Sequence, residues 1–112
     1  MSIFIDSSKV SEIEKYHKLG IINGVTTNPT IMVKDGVSGG IKGIKNRSIE
    51  IAKLVDPLPV SVEVLSNVKE EMLDQAQEFS SWAPNINIKI TIHGAKGELD
   101  NLEVIHLLEK KY

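Results

Sequence analysis

The sequence predicts an α/β fold in which parallel β/α units form part of a barrel. Strand-like and helix-like stretches alternate four times along the 112 residues. No hairpin turn separates consecutive strands, which calls for parallel strands joined by crossover helices. Each strand is also two-faced. Ile3/Ile5, Val25, Val60/Val62/Val64 and Ile86/Ile88/Ile90 form an apolar face. Phe4/Asp6, Thr26/Asn28, Ser61/Glu63 and Asn87/Lys89 form the opposite one. Parallel strands covered by helices on both sides read as continuous apolar runs. These suit one layer of helices and one barrel lining, although a solvated open sheet also accepts a polar face.

Ile3 to Asp6 reads as the first strand. Ser7 or Ser8 is suited to cap a helix running to about Leu19, with Val10, Ile13 and Tyr16 or His17 inward and Gly20 just past its end. A second strand spans about Gly24 to Thr27. Pro29 ends it, since proline cannot donate to a ladder. Gly36 to Gly40 reads as a loop and lacks a nucleotide-loop spacing. A helix follows over about Ile41 to Val55, stopped by Asp56-Pro57-Leu58-Pro59.

Val60 to Val64 is the third strand. Val68, Met72, Ala76, Phe79 and Ala83 mark a helix face over about Val68 to Trp82. Asn85 to Thr91 is the fourth strand, and Leu99, Leu102, Ile105 and Leu108 mark a last helix. Residues 1–112 are expected to form a single domain, with no low-complexity segment or boundary.

Composition narrows the function. A net charge of −2 gives no electrostatic footprint for nucleic acid or an acidic membrane. There are no cysteines, so disulfide frameworks and cysteine-bound metals are excluded. His17, His93 and His106 have no metal-ligand spacing, and no metal is expected. No apolar run approaches a membrane span, and a cytoplasmic location is expected. Arg47 is the one arginine and the single candidate for bidentate phosphate recognition.

The polar face carries the chemistry. In β/α barrels the active groups stand at the C-terminal strand ends. Asp6, Asn28, Glu63 and Lys89 all fall there. On an enclosed face, burial disfavours an ammonium and releases the amine needed for attack on a carbonyl. Lys89 is therefore a candidate Schiff-base nucleophile. Asp6 and Glu63 can move protons, and Asn28 can orient a substrate hydroxyl. Taken in isolation the Lys89 strand reads first as an edge strand with a solvated lysine; the matching polar residues at the other strand ends turn the reading toward a nucleophile.

Four segments in order resemble the transaldolase family, which includes fructose-6-phosphate aldolase. They are Ile3-Phe4-Ile5-Asp6-Ser7, Gly24-Val25-Thr26-Thr27-Asn28-Pro29-Thr30, Val60-Ser61-Val62-Glu63-Val64 and Asn87-Ile88-Lys89-Ile90. The resemblance implies a TIM (β/α)8 barrel, with this chain supplying the first four βα units, a half barrel. It also implies an enzyme without cofactors that transfers a dihydroxyacetone unit between sugar phosphates, in carbohydrate metabolism of the pentose phosphate type.

Within that resemblance Lys89 matches the Schiff-base lysine and Asp6 the acid/base residue. Asn28 matches the substrate-binding asparagine, with Thr26 beside it. Glu63 matches the carboxylate that positions a catalytic water; the aldolase branch commonly has glutamine there. Thr91 stands where members usually have proline. Groups of the family's later half, including the phosphate-holding arginine and serine, have no counterpart in these residues.

A half barrel leaves two sheet edges open. The expected partners are a sugar phosphate and a second copy of the chain, as a homo-oligomer, without nucleic acid or membrane. The competing reading is a catalytically inactive family remnant or fragment that serves as a binding or interaction module.

Overall fold

The computed structural model describes residues 2–66 and 68–90. The element order is β1 (Phe4–Asp6), α1 (Val10–Lys18), β2 (Gly24–Thr26), α2 (Pro29–Lys34), α3 (Gly40–Val55), β3 (Val60–Glu63), α4 (Lys69–Ser80) and β4 (Ile86–Lys89). The last predicted helix, His93, His106 and Thr91 lie outside the described residues.

The four strands form one parallel sheet in the order β1-β2-β3-β4. These are successive βα units of the (β/α)8 type. Ile5 pairs with Val25, Val25 with Val60, and Val60 with Ile86. The shared parity turns one row of apolar side chains toward the helices. Ile13 of α1, Ile51, Ala52 and Val55 of α3, and Phe79 of α4 close over Val25, Val60, Val62 and Ile86. Met72, Ala76 and Phe79 recur at helical spacing on α4, and all three are buried. Phe79 is fully buried and stacks on Trp82 with ring centroids 4.3 Å apart.

Two glycines behave as their positions demand. Gly20 follows α1 with φ 70°, a region where a Cβ is strained. Gly24 is buried at the start of β2, where a Cβ would collide with the Phe4 ring and approach the Pro59 carbonyl to 2.9 Å. Asn85 fastens the beginning of β4. Its Nδ2 donates to the carbonyls of Ala52 (3.0 Å) and Leu58 (2.8 Å), tying the end of α3 and the following turn to the sheet.

Two expectations need correction. The segment after β2 is not only a strand break: Pro29 to Lys34 form α2. Asn28 caps this helix through Oδ1, which accepts from the Ile31 N–H at 2.8 Å, and Pro29 occupies the first turn. Proline is favoured there because its missing N–H would have no helical partner. Neither Ser7 nor Ser8 caps α1. Lys9 is the N-cap and makes no side-chain cap bond. Asp35 and a nearby backbone turn claim the two serines, as described below.

Candidate active site at the C-terminal strand ends

The face opposite the helices carries the predicted site residues in two rows. In the first row Asp6 pairs with Thr26, Thr26 with Ser61, and Ser61 with Asn87. In the second, Glu63 pairs with Lys89. Asn28 follows β2 two residues beyond Thr26, in extended backbone with φ −151°. The alternation of side chains along a strand places both rows on one face.

The structure brings some of these residues together and separates others. Glu63 and Lys89 are direct neighbours on β3 and β4, although no salt bridge joins them. Asp6 and Thr26 are direct neighbours on β1 and β2. Asp6 and Lys89 stand on the outer strands of the sheet, three strand steps of about 4.8 Å apart. A proton or a substrate must bridge that gap.

Exposure also differs along the face. Asp6 and Lys89 are exposed, while Thr26, Asn28 and Glu63 are half-buried. The enclosure expected around Lys89 is therefore not met among the described residues. Phe4 and Leu65 expose 45% and 36% of their surface, so the face is also partly apolar.

Thr26 Oγ1 is buried and has no hydrogen-bond partner among the described residues. An unpaired buried hydroxyl costs free energy, so a water or a ligand oxygen is its natural partner. Its neighbour Thr27 faces the other way. Its hydroxyl donates to the Ser61 carbonyl at 2.9 Å, and its N–H binds the same oxygen. Thr27 thus locks β2 to β3, whereas Thr26 has its hydroxyl unused.

Asn28 has two functions available. Its Oδ1 is committed to the helix cap. Capping fixes the amide plane and leaves Nδ2 as a donor. Sequence reasoning identified Asn28 as a binding residue and missed the cap, which the Asn-Pro pair itself signals.

The loops that follow the site strands are also fastened. After β3, Gln75 Oε1 accepts from the N–H groups of Leu65 (2.7 Å) and Ser66 (3.1 Å). After β1, Ser8 is held by Asp35 and Arg47. Arg47 Nη1 donates to the Ser8 carbonyl at 2.6 Å and Nε lies 3.8 Å from Glu50. Arg47 therefore serves a backbone carbonyl in this structure. No group of residues able to hold a metal ion occurs among the described residues.

The family described as Transaldolase/Fructose-6-phosphate aldolase matches residues 3–111. The chain belongs to this family. A probable transaldolase of Dehalococcoides mccartyi is 39% identical over 111 residues, covering 99% of this chain and 47% of that protein. One from Exiguobacterium sibiricum is 37% identical, with the same two coverages of 99% and 47%. One from Streptococcus agalactiae is 42% identical over 90 residues, covering 80% of this chain and 39% of the relative. The chain thus spans about half the length of the curated relatives it matches. As a transaldolase-family chain it contains β1 to β4 of the barrel pattern, with Asp6, Thr26, Glu63 and Lys89 on one face. Among the described residues no helix is long and apolar enough to cross a membrane.

Proposed function

We propose that the chain carries the Schiff-base half of a transaldolase-type site, acting on sugar phosphates. The observation that carries this reading is the register pairing of Glu63 with Lys89, on the same face as Asp6 and Thr26. The family match supports the reaction class.

Lys89 Nζ, as the neutral amine, attacks the ketone carbon of the donor sugar. A carbinolamine forms and loses water to give a protonated imine. Glu63, beside Lys89, holds the water and exchanges its proton. Asp6 takes the proton from the hydroxyl next to the bond that breaks. The carbon–carbon electrons move into the imine, an aldehyde leaves, and a dihydroxyacetone enamine remains on Lys89. Transfer reverses these steps on a second aldehyde. Asn28 Nδ2 and Thr26 Oγ1 bind substrate oxygens and orient the chain of carbons. No cofactor enters the scheme.

Among the described residues β1 and β4 are the outer strands of the sheet, and these two edges support closure of the barrel by a second copy, as a homo-oligomer of 1–112 domains. Light scattering checks this; a strictly monomeric sample overturns it.

The test of the chemistry is borohydride trapping with fructose 6-phosphate, read by peptide mass spectrometry, with Lys89→Ala as control. A reduced adduct at Lys89 alone supports the reading. A folded sample with no adduct favours the second reading, a non-catalytic binding module of the family. The exposure of Lys89 supports that alternative, because enclosure is what favours a free amine.

A further inference from the structure

Ser8 lies two residues beyond Asp6 and is fully buried. Each of its polar groups is bound to a side chain from a distant element. Its N–H and Oγ–H both donate to Asp35 Oδ2, at 2.9 and 2.8 Å, and its carbonyl accepts from Arg47 Nη1 at 2.6 Å. Asp35 sits at the C-cap of α2, and Arg47 projects from α3. Ser7 is nearly buried as well. Its N–H donates to the Thr26 carbonyl at 3.2 Å, and its Oγ accepts from the Lys9 N–H at 3.1 Å.

Asp6 itself has none of this support. Its carboxylate is exposed and takes no hydrogen bond among the described residues. Its position is therefore set by the backbone on either side. On one side is the β1 ladder, and on the other is the Ser7-Ser8 turn. A βα loop is ordinarily a mobile surface element. Here the sole arginine of the chain and a half-buried aspartate are both committed to one serine in it.

We propose that Asp35 and Arg47 are positioning residues for Asp6. They clamp Ser8 from α2 and α3 and so hold the end of β1 in register with Thr26. The inference rests on the acid/base role proposed for Asp6, but the clamp has a readout of its own. Asp35 and Arg47 touch neither substrate nor reacting atoms in this scheme. They act through Ser8 and the peptide groups between it and Asp6. Charge-assisted hydrogen bonds are the strong kind, and three on one residue suit a fixed geometry.

Hydrogen exchange followed by NMR on the full chain reads the clamp directly. Asp35→Ala and Arg47→Ala should each speed exchange of the Ser7 and Ser8 amides at least tenfold, with the Val62 amide of β3 unchanged. Asp35→Asn keeps an oxygen acceptor and should stay within about threefold of the parent. Ser8→Ala removes only the hydroxyl bond and serves if Asp35→Ala fails to fold. In cleavage of fructose 6-phosphate, Asp35→Ala should lower kcat about tenfold with KM within twofold, and Asp35→Asn should restore most of the loss.

Unchanged Ser7 exchange in both alanine variants overturns the proposal. So does faster exchange with kcat intact. If the parent forms no Lys89 adduct, the catalytic reading fails separately. The exchange result then still decides whether the clamp fixes the strand end that carries Asp6.

Discussion

Glu63 and Lys89 are register partners on adjacent parallel strands, and both belong to the face opposite the one that Ile13, Ile51 and Phe79 cover. A carboxylate beside an amine suits proton exchange with a water held between them. Lys89→Ala should abolish the borohydride-trapped adduct. Glu63→Gln should still form it but slow its formation and release about 10²-fold, the size of one general acid/base contribution. Rapid-quench mass spectrometry separates these outcomes.

Asn28 separates stability from binding. Asn28→Ala removes the cap on α2 and should cost about 1 kcal/mol. Asn28→Asp keeps a capping oxygen and loses the Nδ2 donor. It should unfold near the parental denaturant midpoint while binding sugar phosphate more weakly by roughly tenfold, the loss of a hydrogen bond worth about 1.5 kcal/mol. Chemical denaturation and calorimetric titration give the two numbers.

Gly24 tests close packing on the site face. A Cβ there meets the Phe4 ring and the Pro59 backbone oxygen. The ring can rotate away, but the carbonyl is part of the β2–β3 ladder through the Val25 N–H. Gly24→Ala should destabilise by about 1–3 kcal/mol. Adding Phe4→Ala should relieve only part of that loss in urea denaturation.

Asp35 gives the acid dependence a sign. Partial burial pushes its carboxyl up, but the backbone and side-chain hydrogen bonds from Ser8, with the charges of Lys9 and Lys34, outweigh burial and hold it below its ordinary value. A carboxyl lowered in the folded state stabilises above its unfolded value and loses that contribution as pH falls through the folded one. The stability gap between the parent and Asp35→Asn should be constant from neutral pH to about pH 4 and shrink below it. Denaturation midpoints at a series of pH values check the slope.

Much of the fold was legible in short stretches. Ile86 and Ile88 alternating with Asn87 and Lys89 defined a strand and its two faces. Met72, Ala76 and Phe79 defined the buried side of α4. Both patterns are local periodicities, which the backbone geometry converts directly into faces. The helix at α2 is not legible because six residues are too few for a periodic stripe, and Pro29, which reads as a strand breaker, also begins the helix. Asn85 escaped too. Its partners, the Ala52 and Leu58 carbonyls, are 33 and 27 residues away in sequence.

The sequence by itself determined the parallel β/α order, the apolar and polar faces, and which residues share the site face. Those properties follow from alternation and spacing within a few residues. Only the tertiary structure decided which of them are neighbours. It paired Glu63 with Lys89, set Asp6 three strands from Lys89, and left Lys89 exposed. It also turned Ser8 from an expected helix cap into the meeting point of Asp35 and Arg47, 27 and 39 residues away in sequence. Strand register and loop anchoring depend on hydrogen bonds between distant segments, and no local pattern encodes those partners.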